Sequence, residues 1–157
     1  MKTEKIEKFR YLLRQIEREI FELYKEDAQC CGISMAQCHA LMELGNAKEI
    51  TISDLADQLR LDKSTLSRTV DSLVQKGFVS REISQHDRRF MSVQLTKSGM
   101  DLYKSINHRY NEIFQETLKD VSQKQQDQLL ESLTLFIRLI IQARNSDSIK
   151  ESGYCQS

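Results

Sequence analysis

Apolar residues recur at helical spacing along most of this chain, and the clearest run predicts a helix between Asp62 and Gly77. Four apolar residues stand at i, i+4, i+7 and i+8 and should share its inward face: Leu66, Val70, Leu73 and Val74. The outward face is polar and charged: Lys63, Ser64, Ser67, Arg68 and Asp71. This helix is therefore expected to pack against a core on one side and to offer polar groups on the other.

A shorter amphipathic helix is predicted immediately before it, over residues 52–59, with Ser53 as its N-cap. Residues 60–62 form the connection. So short a turn is typical of a helix-turn-helix, whose second helix enters the major groove of DNA with its N-terminal residues nearest the base edges. The predicted DNA contacts on this recognition helix are Lys63, Ser64, Thr65, Ser67 and Arg68.

A β-hairpin is predicted after the recognition helix, which should end at Gly77 because glycine accepts a left-handed conformation. Residues 78–83 and 90–95 alternate apolar with polar side chains, as two strands of a hairpin do. The tip between them, residues 84–89, is polar and basic. Such a wing is suited to reach along the DNA backbone or into the minor groove.

These motifs, in this order, resemble those of the MarR family of bacterial winged-helix regulators. The matching segments are Ser-Thr-Leu-Ser-Arg at 64–68, Lys-Gly-Phe-Val at 76–79, Asp-Arg-Arg at 87–89 and Leu-Thr-Lys-Ser-Gly at 95–99. The resemblance covers nearly the whole chain. It implies that Arg89 enters the minor groove while Asp87 orients the wing tip, with Arg88 as a phosphate contact or a solvated neighbour.

Broad apolar faces lie on the predicted helices at both ends of the chain, within residues 6–21, 102–114 and 129–141. A small winged helix cannot cover all of them, so an intertwined homodimer is predicted. The resemblance implies the same arrangement. Its two recognition helices would address the half-sites of a pseudo-palindromic operator in double-stranded DNA.

The expected fold is mainly α with a small β-hairpin wing, that is, a winged helix-turn-helix with N- and C-terminal dimerisation helices. One MarR-like domain is predicted over residues 1–145. Within it, the winged helix-turn-helix occupies about 48–96 and the dimerisation helices about 2–26 and 97–144. Residues 146–157 have no apolar period and are predicted to form a mobile tail.

The charge distribution agrees with DNA binding, although the formal net charge of the chain is zero. Residues 60–97 hold eight Lys or Arg against four acidic residues, so this segment is +4 and the remainder is −4. Basic charge is thus concentrated where phosphates would be met. The chain has no long apolar run, and its N-terminus leads into an amphipathic helix, so a cytoplasmic protein with no membrane partner is expected.

An enzyme is not expected from this sequence. The chain contains no glycine-rich phosphate loop and no His-x-Glu zinc signature, and Cys38 and His39 face different directions on a helix. A winged-helix module that binds proteins is an alternative, because fold alone does not fix function. The basic wing tip argues against that alternative.

Three of the four cysteines, Cys30, Cys31 and Cys38, surround the predicted N-cap Ser34 of the second helix. No cofactor is required, but three thiolates favour a thiophilic effector such as As(III), Sb(III) or Cu(I), or zinc with His39 or a residue from another helix completing four ligands. Oxidation of a low-pKa thiol is the closest rival, which some MarR relatives use near this region. The structural alternative is that Cys38 is a small core residue and the other two are incidental.

Two further effector hypotheses remain. MarR relatives also bind phenolic ligands between the dimerisation helices and the DNA-binding head, without a sequence signature. His108 and Glu112 stand at i and i+4 and could share a metal ion, although such a pair more often forms a solvated helix face. The sequence therefore predicts a dimeric regulator, preferably a repressor released by a thiol-directed signal, with activation and an organic effector left open.

Overall fold

Helices dominate the computed structural model, which describes residues 3–47, 49–83 and 91–145, apart from the side chains of residues 27, 29 and 30. The helices are α1 (Thr3–Cys30), α2 (Met35–Asn46), α3 (Ile52–Leu59), α4 (Lys63–Gln75), α5 (Lys97–Leu118) and α6 (Gln123–Asn145), and the strands are β1 (Ile50–Thr51), β2 (Val79–Ile83) and β3 (Met91–Leu95). The predicted mainly α fold with a small β wing is confirmed. Within these ranges, every helix is too short or too polar to cross a membrane.

The chain divides into two compact units, one ending at Tyr110 and the other beginning at Asn111. The first unit contains α1 to α4, the sheet and most of α5, and it holds the buried core. The second contains the end of α5 and the whole of α6, a helix without a buried residue. The single domain over 1–145 stays a prediction, and the predicted tail at 146–157 lies outside the described residues.

The wing belongs to a three-stranded antiparallel sheet in which β3 lies between β1 and β2. β2 and β3 pair from Val79 opposite Leu95 to Ile83 opposite Met91, which confirms the predicted hairpin. β1 has only two residues. A strand that short shows no alternation in sequence, so it was not predicted.

The N-cap of α3 is Thr51, not Ser53 as the sequence predicted. Thr51 is extended, with φ −79° and ψ 158°, and its hydroxyl accepts a hydrogen bond from the Asp54 backbone N–H. Thr51 is also the last residue of β1, so the chain passes directly from strand to helix. The pairing of β1 with β3 therefore moves the cap two residues upstream and places Ser53 inside the helix.

The core side of α4 consists of Leu66, Val70 and Leu73, each fully buried. Val74, predicted to share this face, is instead 37% exposed. Consecutive helix residues are about 100° apart, so a residue next to Leu73 lies at the margin of the face. The wall opposite is built by Leu41 and other buried residues of α2 and α3.

The end of α4 and the start of α5 are held together by the Leu-Thr-Lys-Ser-Gly segment. Gly77 follows the C-cap residue Lys76 in the expected left-handed conformation, with φ 76°. The Thr96 hydroxyl donates to the Gly77 carbonyl at 2.6 Å and accepts from the Gly99 N–H at 3.1 Å. A β-carbon on Gly99 would collide with the Phe78 carbonyl, so this glycine is needed for the close approach.

Candidate nucleic-acid interface

The N-terminal end of α4 is organised by Asp62, its N-cap residue. One carboxylate oxygen accepts from the Thr65 N–H at 2.8 Å and from the Ser64 hydroxyl at 2.5 Å. The other accepts from the Thr65 hydroxyl at 2.6 Å. Hydrogen bonds from the Ser64 hydroxyl and then from Thr65 hold the pKa of Asp62 far below its usual range. Asp62 is therefore an ionised acceptor that organises two of the predicted DNA contacts.

One flank of α4 is tied to the wing through Arg81 of β2. Its guanidinium forms an ion pair with Asp71 at 2.6 Å and donates a long, 3.5 Å hydrogen bond to the Ser67 hydroxyl. Arg81 thus fixes the recognition helix relative to the strand that carries the wing. The sequence analysis counted Arg81 only as part of the basic charge, because nothing local indicates that it pairs with a residue on α4.

The other flank of α4 is tied to α2 and to the turn that precedes it. The Gln37 amide donates to the Ser72 hydroxyl at 2.7 Å, and the Lys76 ammonium donates to the Gly32 carbonyl at 2.7 Å. Gln37 also closes the capping box with Ser34, which confirms Ser34 as the N-cap of α2. The recognition helix is therefore anchored along both sides, while its outward face remains exposed.

The structure brings the predicted contacts of the recognition helix to one exposed region. Lys63, Ser64, Thr65 and Arg68 are exposed in the first two turns of α4, and Ser67 is half-buried beside Arg81. The remaining predicted DNA contacts, on the wing tip, lie outside the described residues: Asp87, Arg88 and Arg89.

The cysteine region lies beside this helix. Cys38 is buried, with its Sγ atom 3.5 Å from the Tyr110 hydroxyl. Cys31 is half-buried in the turn after α1, and the side chain of Cys30 lies outside the description. Among the described residues, no three His, Cys, Asp or Glu side chains are grouped to hold a metal ion. His39 and His108 are exposed on α2 and α5.

A cavity of about 410 Å³ opens within the first unit beside Cys38. Its wall includes Tyr24 and Tyr110, whose rings stack with centroids 4.5 Å apart, and the polar side chains of His39 and Glu43. Burial, and secondarily the neighbouring Cys38, raise the pKa of Tyr24. The cavity therefore combines an aromatic wall with a thiol and a carboxylate.

A winged helix-turn-helix with an exposed second helix is typical of DNA-binding proteins, and comparison with known proteins identifies the family. The MarR family model matches residues 33–90. An uncharacterized HTH-type transcriptional regulator of Bacillus subtilis, YfiV, is 27% identical over 144 residues, covering 85% of this chain and 90% of YfiV. A second, ML2140 of Mycobacterium leprae, is 31% identical over 108 residues, covering 69% of this chain and 76% of that protein.

Among solved structures, S. aureus MepR in complex with DNA has the same fold, with a TM-score of 0.70 and 24% identity over 83% of this chain and 96% of MepR. The chain belongs to the MarR family. It is accordingly a DNA-binding transcriptional regulator and not an enzyme.

Proposed function

We propose that this protein is a homodimeric repressor that places α4 of each subunit in the major groove at one half-site of a pseudo-palindromic operator, acting on chromosomal DNA in the cytoplasm. The observation that carries the proposal is the exposed polar face of α4. This face is anchored by Arg81 on one flank and by Gln37 and Lys76 on the other. A helix whose inner face, Leu66, Val70 and Leu73, is fully buried can present donors and acceptors to base edges at a fixed register.

The dimer is supported by exposed apolar side chains on the terminal helices. On α1 the exposed apolar residues include Ile6, Phe9, Leu12, Ile16, Ile20 and Phe21. On α6 they include Leu129, Leu130, Leu133, Ile137, Ile140 and Ile141. Apolar faces of this extent on a folded chain mark surfaces that a partner covers. A second copy is the occupant that a two-fold operator requires.

Arg68→Ala is expected to weaken specific operator binding about 5- to 150-fold, because an arginine bound to a base edge supplies about 1–3 kcal/mol of discrimination. The measurement is fluorescence anisotropy on a duplex selected from random sequence, compared with a scrambled duplex. Lys104→Ala is the matched control, since it removes an exposed positive charge from α5. Equal losses on both duplexes in Arg68→Ala would place Arg68 on phosphate and contradict a reading role.

For the effector, we favour a thiol-directed signal, such as As(III), Sb(III), Cu(I), zinc or an oxidant, acting at Cys30, Cys31 and Cys38. Two contacts support this choice. The Cys38 thiol lines the cavity and contacts Tyr110 of α5. Cys31 precedes Gly32, whose carbonyl accepts the hydrogen bond from Lys76 at the end of α4. A change in the geometry of this turn would therefore act directly on the recognition helix.

A second candidate effector is an aromatic organic molecule in the same cavity. The stacked Tyr24 and Tyr110 rings offer an apolar wall, and Glu43 and His39 offer polar groups that could orient a ligand. A cavity of about 410 Å³ lies within the range of small-molecule sites. In this case Cys38 would contribute only to the lining.

The two effector candidates are separated by Cys31→Ser and Cys38→Ser. If thiols are the sensor, arsenite, zinc or peroxide weakens operator binding of the reduced wild type. A coupling of about 2–3 kcal/mol corresponds to about 30- to 150-fold. At least one serine variant then binds the operator normally and loses that response. Release by salicylate that survives in both variants, with no response to the thiol reagents, would favour the organic ligand instead.

A further inference from the structure

Two of the predicted DNA contacts have their only hydroxyl proton already committed. The Ser64 and Thr65 hydroxyls lie 2.5 and 2.6 Å from the two carboxylate oxygens of Asp62. An ionised carboxylate can only accept hydrogen bonds, so in both contacts the hydroxyl is the donor. Each hydroxyl has one proton and two lone pairs, which leaves Ser64 and Thr65 with lone pairs alone to offer.

This polarity excludes a common role for such residues. Phosphate oxygens are acceptors, and so are guanine O6 and N7 and thymine O4. A hydroxyl that already donates to Asp62 has nothing to give them. Hydrogen bonds to a charged acceptor are stronger than those between neutral groups, which favours the orientation in which both hydroxyls donate to Asp62.

The complementary groups in the major groove are amino groups, namely adenine N6 and cytosine N4. Every base pair carries one of these amino groups, on one strand or the other. The two hydroxyl acceptors therefore distinguish which strand carries the adenine or cytosine. We propose that Asp62 orients the Ser64 and Thr65 hydroxyls so that they accept hydrogen bonds from an adenine or cytosine amino group in each half-site. This inference rests on the proposed placement of α4 in the major groove.

The proposal has a visible consequence in operator selection. At the base pair facing Ser64 and Thr65, duplexes selected from random sequence carry A or C on the contacted strand and not G or T. Arg68, one turn further along α4, has only donors to offer and selects acceptor-bearing bases such as guanine. The outward face of α4 therefore presents acceptors at Ser64 and Thr65, with donors on either side of them at Lys63 and Arg68.

The test uses the full-length protein and a selected operator in which single amino groups are deleted. Purine replaces adenine, which removes N6 and keeps N7, and pyrimidin-2-one replaces cytosine, which removes N4. With anisotropy as the readout, we expect one or two half-site positions at which wild-type affinity falls about 5- to 150-fold. Replacing adenine with 7-deazaadenine at the same positions removes only an acceptor and is expected to change affinity less than about threefold.

Asp62→Asn is the decisive variant, because asparagine caps a helix as well as aspartate does. Its oxygen can replace the one that accepts from both the Thr65 N–H and the Ser64 hydroxyl, while its amide N–H₂ replaces the other oxygen, donates to the Thr65 hydroxyl and frees that hydroxyl's proton. The penalty for deleting the amino group at the position that Thr65 contacts should then shrink to less than about threefold, while the penalty at the position that Ser64 contacts stays at its wild-type size. Ser64→Ala and Thr65→Val should each abolish the penalty at the position that the residue contacts. Circular dichroism checks that all three variants keep the wild-type helix content.

If Asp62 only caps the helix, Asp62→Asn leaves the amino-deletion penalty at the Thr65 position at its wild-type size, and the proposal is overturned. Wild-type binding that is indifferent to every amino deletion also overturns it. In that outcome a specific loss in Arg68→Ala would keep α4 in the major groove. Indifference to the deletions together with no specific loss in Arg68→Ala would instead remove the proposed placement of α4 itself.

Discussion

Leu133→Glu is expected to convert the protein from a dimer to a monomer of 18.3 kDa and to abolish tight operator binding. Leu133 is 43% exposed in the middle of the apolar face of α6, between Leu129, Ile137 and Ile140. A glutamate there would be buried without a counter-charge if that face packs against a second copy. A monomer also loses the linkage between two half-sites, which is worth about 100- to 10,000-fold in affinity.

Sedimentation equilibrium measures the mass, and anisotropy on the selected operator measures the affinity. The matched control is Leu135→Glu. Leu135 is 46% exposed, similar to Leu133, but two residues along a helix place it about 200° away, on the opposite side of α6. We expect Leu135→Glu to remain dimeric. A monomeric wild type, or dissociation caused by Leu135→Glu and not by Leu133→Glu, would contradict the proposed interface.

Leu73→Ala is expected to lower the free energy of unfolding by about 2–5 kcal/mol, the range found when a buried leucine leaves a cavity. Leu73 is fully buried where α4 packs on the core. Its neighbour Val74 supplies the control, because it is 37% exposed. Val74→Ala should cost less than about 1 kcal/mol, since little surface is uncovered and alanine has the better helix propensity.

Urea denaturation followed by circular dichroism measures the free energy of unfolding of both variants. Both are measured at one protein concentration, because the stability of the proposed dimer depends on concentration. Equal destabilisation by Leu73→Ala and Val74→Ala would mean that Val74 is buried in solution. That result would agree with the sequence prediction that Leu66, Val70, Leu73 and Val74 all face inward.

Much of the candidate site could be predicted from the local pattern of apolar and polar residues. The predicted exposure of Lys63, Ser64 and Arg68 is confirmed. It could be predicted because the start of a helix and the positions of its buried residues together fix which residues face outward. The wing-tip residues Asp87, Arg88 and Arg89 stay predictions. The grouping of Cys30, Cys31 and Cys38 was suggested by their proximity in sequence. The structure adds the contact of Cys38 with Tyr110, which sequence spacing does not indicate.

The sequence by itself determined the elements whose signals are local: three of the four predicted inward residues of α4, the Ser34 cap, the left-handed Gly77 and the paired strands of the wing. Each follows from backbone geometry over a few residues. Only the tertiary structure decided that Arg81 pairs with Asp71. It likewise decided that Lys76 reaches Gly32, 44 residues away. These contacts depend on how separate elements pack, and packing between distant segments leaves no periodic trace in the chain.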